Sequence, residues 1–527
     1  MTAEESRIRE LESQLAERDE MIRTLKSSID ELNRLVTNLT EIITQMRRSK
    51  FGPSSEKTVV TDDSCVQLSL FNEIELESVG KAEEPIERDS KGKLKPKGKS
   101  TRKMQILKDL PVTDVLCEAP DDALTCPRCH TDLKVIGKEF VREEYEYIPA
   151  QLRILRYYRY SYECPECKHS GKPYMIKAGV PTSLMNHSPA SPSTVANVMY
   201  QKYVNAVPLY RQEKDWERMG LVLPRATMAN WANRCSDDYL TPVVDYMREL
   251  LLKRDVLHAD ETPVQVLKEP GKKPQTKSYM WLYRTGNDGD VPIILYDYQP
   301  SRDGGNAARY LEGFRGYIHT DGYSGYNKLT DVTRCGCWAH VRRKFDEAAP
   351  VGKAPGDGGS YAQIGIAYCN KLFDIEDDLK DMSPEDRYNK RLELEKPVLE
   401  AFWSWLDSFV PLRGSKLAKA VAYARNQRPY LENYLLDGRC SLSNNIAENA
   451  IRPFVTGRKN WLFADTPKGA TASATIYSIV ETAKANGLDV FLYLEQLLMH
   501  MTDWDHTPEY LDRLMPWSDL MQERCSG

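Results

Sequence analysis

The chain has 527 residues, 41% hydrophobic and 28% charged, so it is too long for one ordinary core and calls for roughly three or four modules. Its 72 lysines and arginines stand against 77 aspartates and glutamates, a net charge of −5; bulk charge therefore gives no sign of a nucleic-acid partner, and any such surface must be local. No run approaches the ~20 apolar residues of a membrane span, and the polar, acidic start is unlike an export signal, so a cytoplasmic protein with no membrane partner is expected.

Residues 7–48 carry an almost unbroken heptad. One seam reads Ile8, Leu15, Ile22, Ile29, Val36, Ile43 and the other Leu11, Arg18, Leu25, Leu32, Leu39, Met46. Mostly β-branched residues at a and mostly leucine at d favour a parallel two-stranded coiled coil, weakened at Arg18. The alternative is a single helix packed on the body of its own chain. A seam this narrow and regular favours self-association, so 1–50 reads as an oligomerisation element of a homodimer or higher oligomer. Gly52 and Pro53 end the helix. Residues 51–110 read as a flexible basic linker. Its lysine-glycine run, Lys91 to Lys99, cannot build a core but suits phosphates contacted without regard to sequence.

The twelve cysteines are unevenly placed, and four form two tight pairs, Cys126-Pro-Arg-Cys129 and Cys164-Pro-Glu-Cys167. Without an export signal this favours metal and reduced thiols over a disulfide framework. Two knuckles aim four thiolates at one point, the donor set of one structural Zn2+. Between them, Glu139–Ile148 and Leu152–Tyr162 read as a hairpin, making 111–178 a zinc ribbon. The second predicted strand interleaves Arg153, Arg156 and Arg159 with tyrosines, a face suited to phosphates and groove edges.

Ser191-Pro192 opens a helix in the cap-then-proline order. A second helix covers about Leu209–Met219 and stops at Gly220, and Pro224 opens a third. Helix, glycine-containing turn, helix is the helix-turn-helix pattern, expected over 179–250, with Arg225, Thr227 and Asn230 placed to reach bases.

From Val256 the period changes to two. Val256–Asp260, Tyr279–Arg284, Ile293–Tyr298 and Tyr317–Asp321 are apolar runs, with a helix near Asn306–Leu311 before the last. The first and fourth runs each deliver His-x-Asp, where α/β sheets commonly expose functional groups. A third acid, Glu448, follows far along the chain. Two strand-borne aspartates and a helix-borne glutamate suit two hard divalent cations around a phosphodiester. Glu448 and Arg452, four apart, share a helical face, so the arginine is placed to touch a phosphate nearby. Cys335-x-Cys337-x-x-His340 reads as a strand end followed by a basic helix rather than as a metal site.

Together, His-Ala-Asp260-Glu-Thr-Pro, His-Thr-Asp321-Gly-Tyr, Cys337-Trp-Ala-His340-Val-Arg-Arg-Lys-Phe345 and Asn444-Asn-x-x-Glu448-x-x-x-Arg452-Pro, followed by Gly457-Arg458-Lys459-Asn-Trp-Leu-Phe, resemble the insertion-sequence-66 family of transposases. The resemblance covers nearly the whole chain. It implies a multidomain α+β protein: coiled coil, zinc ribbon, helix-turn-helix, then a ribonuclease-H-like α/β catalytic core over 251–346 and 441–485, interrupted by a helical insertion at 347–440 and closed by a helical tail at 486–527. It implies that Asp260, Asp321 and Glu448 are catalytic and hold two Mg2+ (or Mn2+) ions. Arg452, Arg458 and Lys459 are expected on DNA. Two positions depart from the family pattern: Asn449 stands where relatives often have arginine, and Ser443 where many have aspartate. Neither removes a metal ligand. The expected partners are double-stranded DNA, as transposon ends and target, and accessory proteins encoded by the same element; the expected location is the nucleoid. The rival from another class is a dimeric zinc-containing DNA-binding regulator without catalysis.

Overall fold

A computed structural model describes residues 18–24, 26, 151–163, 175–286, 288–349 and 360–526. Cys126, Cys129, Cys164 and Cys167, the linker and most of the heptad seam lie outside the described residues. Residues 18–24 are helical and exposed, the seam residue Ile22 included.

The strand expected over Leu152–Tyr162 is much shorter. Residues 151–160 have no regular structure, and only Ser161–Glu163 (β1) is paired, antiparallel to Met175–Lys177 (β2). The physical reason is visible in the burial. Arg153, Arg156 and Arg159, with the intervening Ile154, Leu155 and tyrosines, are all exposed, so no apolar face packs against a neighbour.

The helical segment begins where expected. The Ser191 hydroxyl accepts from Thr194 N at 3.2 Å and caps α1 (Pro192–Tyr203). Then come α2 (Leu209–Arg218) and α3 (Arg225–Cys235), which bury Trp216, Met228 and Trp231 between them and α1. Gly220 sits at φ +86°, the left-handed region glycine enters freely, and turns the chain between α2 and α3. A π-helical turn (Ser236–Leu240) continues without a break into α4 (Thr241–Leu251).

A five-stranded sheet follows. β3 (Val256–Gln265), β4 (Lys277–Thr285) and β5 (Ile294–Gln299) are antiparallel. After α5 (Gly304–Tyr310), β6 (Gly316–His319) pairs parallel to β3, and β7 (Val332–Cys335) parallel to β6. The order across the sheet is β5-β4-β3-β6-β7. β3 runs past its predicted end at Asp260 because β4 keeps pairing with it to Gln265, whereas β6 leaves it at His258. Asp260 therefore marks the end of the parallel part. Pro263 is tolerated further on, where the β6 side of the strand is open.

α6 (Trp338–Ala348) leads into the insertion, whose helices are α7 (Tyr361–Leu379), α8 (Pro384–Asp407) and α9 (Lys416–Leu431). These share a core of their own built on Trp338, Phe345, Phe402 and Trp403, distinct from the one under the helical segment and the antiparallel strands. The chain returns in α10 (Asn445–Trp461), α11 (Pro467–Ala485) and α12 (Val490–His500), then two short helices, α13 (Pro508–Asp512) and α14 (Asp519–Cys525). Two hydroxyls of α11 cover the open edge of the sheet. Ile294 N donates to Thr482 Oγ1 at 3.0 Å, Tyr296 N to Ser478 Oγ at 2.7 Å, and Thr482 Oγ1 to Ile294 O at 2.9 Å. At Ile294 and Tyr296 a helix thus supplies bonds a sixth strand would make, which blunts the β5 edge against pairing with another chain. Among the described residues no helix is long and apolar enough to cross a membrane.

Candidate active site

The two His-x-Asp words lie side by side. His258 on β3 is in register with His319 on β6, and their rings stack with centroids 4.3 Å apart. Two residues beyond each histidine, Asp260 and Asp321 leave the parallel pair at the same end. Asp260 Oδ1 accepts from Glu261 N at 2.9 Å, and Asp321 Oδ1 from Tyr323 N at 2.9 Å. Burial, then the charges of Glu261 and Asp321, hold the Asp260 carboxyl well above the usual carboxylate range, and Glu448 adds to this. Both histidines are buried and neutral: desolvation pushes His258 down to about 3, and His319 well below its ordinary value.

Glu448 stands in the first turn of α10, where the helix dipole favours an anion. α6 reaches it from the other side. Arg343 Nη2 donates to Glu448 Oε2 at 3.1 Å, and His340 Nε2 lies 3.7 Å from Oε1. β7 ends at Cys335 and α6 begins at Trp338, the strand end and basic helix expected there. Packing nevertheless divides the Cys-x-Cys word between two clusters. Cys335 joins His319 and Cys440, while Cys337 joins His340 and Glu448, each with ligand atoms within 4.8 Å of one another. Cys337 precedes α6 without a side-chain capping bond, and its buried sulfur instead accepts from Asn444 N, ahead of α10, at 3.2 Å.

Several residues at the site carry no signal that the sequence reading used. Glu261, with its side chain 1% exposed, accepts from Arg302 Nε (2.8 Å) and Nη2 (2.5 Å) on one oxygen and from Tyr326 OH (2.6 Å) on the other. Burial and Asp321 raise its carboxyl, while Tyr326 and Arg302 oppose. Arg334 on β7 donates to Asp321 O (2.5 Å) and Thr320 Oγ1 (2.7 Å) beneath the ring of Tyr430, 4.4 Å away. Tyr430 belongs to α9, so the insertion reaches the site. So does Tyr423, which packs so close to Gly322 that a Cβ there would lie 2.7 Å from its ring. Two clues were available: an acid doublet inside an apolar strand, and the asparagine pair Asn444-Asn445 ahead of Glu448.

The metal assignment can be tested against these atoms. Asp260 and Asp321 each keep one carboxylate oxygen without a hydrogen bond among the described residues, and Glu448 Oε1 is buried without one. Hard oxygen donors with open lone pairs, set in mutual repulsion, suit Mg2+ or Mn2+. The donor chemistry fits the group, while the three acids do not converge to within 4.8 Å of one another, Glu448 clustering instead with Cys337 and His340.

The DNA candidates are dispersed. Arg153, Arg156 and Arg159, which precede β1 in the sequence, are exposed, and Arg225 and Asn230 are exposed on α3 with Thr227 half-buried. Thr227, Asn230 and Arg234 line a cleft of about 380 Å3 together with Lys468 from the start of α11. On α10, Arg452 and Lys459 face solvent. Arg458 instead turns inward, its Nη1 donating to Thr262 Oγ1 at 3.1 Å and to Pro263 O. It braces the end of β3 rather than presenting a free cation.

Similarity to known proteins runs along nearly the whole chain. A profile described as the transposase IS66 family matches residues 187–472. Others match the zinc-finger binding domain of transposase IS66 at 124–168, the IS66 C-terminal element at 478–517 and the transposase C of IS166 homeodomain at 38–115. Among relatives from Sinorhizobium fredii (strain NBRC 101917 / NGR234), the uncharacterized protein y4qI is 29% identical over 498 residues, 91% of this chain and 88% of the relative. The uncharacterized protein y4hP is 26% identical over 500 residues, 90% of this chain and 87% of the relative.

Proposed function

The chain belongs to the transposase IS66 family, and from that premise we propose that it binds the terminal inverted repeats of its element, cuts DNA there and joins the 3′ ends to a target. The observation that carries the reading is the pairing of the two His-x-Asp words on adjacent parallel strands, with the helix of Glu448 docked against the same strand end. Three antiparallel strands followed by two parallel ones support a ribonuclease-H-like core.

Asp260, Asp321 and Glu448 would hold two Mg2+ or Mn2+ ions. When bound, these supply charge stabilisation and an activated oxygen nucleophile for in-line attack on a phosphodiester. The rest of the work falls to the chain. β3 and β6 fix the two aspartates side by side, and the first turn of α10 presents Glu448. Arg452, on the solvent side of that helix, meets the phosphate backbone. The four cysteines Cys126, Cys129, Cys164 and Cys167 hold one structural Zn2+ in the domain that, with Arg153, Arg156, Arg159 and the α2–α3 unit, grips the ends. The heptad segment assembles two or more chains, so that paired ends are handled in one complex. The protein works in the cytoplasm at the nucleoid, with element-encoded accessory proteins as further partners.

The test pairs binding with chemistry. Asp260→Asn, Asp321→Asn and Glu448→Gln keep size and hydrogen bonding but remove a charge that holds the metal. Band shifts on the DNA flanking the coding region should stay near parental in all three, while strand cleavage with Mg2+ or Mn2+ falls to background. A parent that binds but never cuts, even with accessory proteins supplied, identifies a DNA-binding regulator instead.

A further inference from the structure

Two arginines border the acid cluster, and they are held differently. Arg343 bonds directly to Glu448, one of the three acids assigned to metal. Arg302 bonds to Glu261, which the metal assignment leaves out. Its engagement therefore does not compete with metal loading.

Arg302 is fixed on three sides. Its Nε and Nη2 both lie on Glu261 Oε1. Its guanidinium carbon lies 4.0 Å from the centroid of the Tyr323 ring. The hydroxyl of Tyr323 donates back to Arg302 O, and Tyr323 N donates to Asp321 Oδ1 at 2.9 Å. One chain of contacts thus runs from Glu261, the neighbour of Asp260, through Arg302 and Tyr323 to Asp321. Nη1 has no partner among the described residues, and the side chain is 42% exposed. A planar cation with two donors anchored and its outer edge in water is already ordered for an oxyanion. Glu261 itself is satisfied on both oxygens, one of them by Tyr326 OH. It needs nothing more from the half of the guanidinium that points away.

We propose that Arg302 is a DNA-binding residue of this site, its outer guanidinium edge taking a non-bridging oxygen of a phosphodiester beside Asp260 and Asp321. The assignment rests on the reading that these acids act on DNA. Its consequence is that one backbone phosphate is held at a set distance from both strand aspartates, because the same contacts position the arginine and the Asp321 loop. An arginine serving only as counter-ion to Glu261 would leave DNA binding untouched.

The experiment uses the full chain and a fluorescein-labelled duplex taken from the DNA flanking the coding region, with Ca2+ in place of Mg2+. Binding of the parent and Arg302→Gln is titrated over a series of salt concentrations. Loss of one phosphate contact should make the plot of log Kobs against log salt shallower by about 0.9, so the variant loses about three-fold less affinity than the parent between 50 and 200 mM salt. An unchanged slope in a folded variant overturns the proposal. The parent supplies a measurement that no folding defect can confuse. Arginine-selective labelling read by mass spectrometry should modify Arg302 in the free protein and spare it when the duplex is bound; equal labelling in both states overturns the assignment. Cleavage of the same duplex by the parent with Mg2+ is scored separately and bears on the transposase reading alone.

Discussion

His258 Nδ1 lies 2.9 Å from Asn444 Oδ1, and the Asn444 side-chain amide donates to Ala259 O at 2.8 Å. One buried amide thus ties the strand of Asp260 to the residue preceding α10, the helix of Glu448. The two bonds also settle the histidine. With the amide nitrogen on Ala259 O, the amide oxygen faces His258, whose neutral ring must then carry its proton on Nδ1. Asn444→Ala would leave that N–H and the Ala259 carbonyl unpaired in a dry interior, at a cost of about 1–3 kcal/mol each. The expected result is a melting temperature lowered by several degrees and strand cleavage reduced far more than DNA binding. Parental cleavage by the folded variant would show that this tether does not position the acids.

A pH dependence follows from the insertion. Glu395 on α8 is buried, and its Oε2 accepts from Tyr434 OH at 2.8 Å. Desolvation first, then the charge of Glu376, push its carboxyl up to about 8. A carboxyl raised on folding favours the protonated folded state, so its contribution is complete below about pH 4.3 and is lost as pH rises to 8. Glu395→Gln keeps the acceptor for Tyr434 without the charge. Thermal melts from pH 5 to 9 should show the variant gaining on the parent up to pH 8, by a few kcal/mol, and running parallel above it. A gap that does not change with pH would place the proton elsewhere.

One zinc per chain is expected on Cys126, Cys129, Cys164 and Cys167. Elemental analysis of the purified protein measures it directly. Cys164→Ser should lower the metal content and weaken binding to element ends, because a structural zinc site closes only with all four ligands. Normal zinc in that variant would remove the assignment.

Self-association should depend on residues 1–50. Leu25→Pro interrupts a helix at a d position of the seam, at a cost of about 3 kcal/mol or more. Sedimentation should find the parent larger than both this variant and a chain starting at Phe51. Equal masses for all three would move assembly to another surface.

The His-x-Asp words were readable because they are local. Strands announce themselves by a period of two, and two His-x-Asp words of the same length after apolar runs pair in register once the strands are parallel. The caps at Ser191 and Gly220 were likewise written in neighbouring residues. What decides the surroundings of the acids is contact between distant segments, which no periodicity encodes. Glu261 looks like a second acid in a doublet until β6 and α5 bring Tyr326 and Arg302 to it. Arg458 reads as one of two adjacent cations, but the pitch of α10 turns it onto Pro263 while Lys459 stays in solvent. Cys335 and Cys337, two apart in one word, separate because the chain leaves β7 and enters α6 between them. Residue type and spacing therefore chose the three acids, whereas the packing of α6, α9 and α10 against the ends of β3 and β6 chose their neighbours. A side chain's partner is set by where its backbone docks, and docking is decided by burial summed over the whole chain.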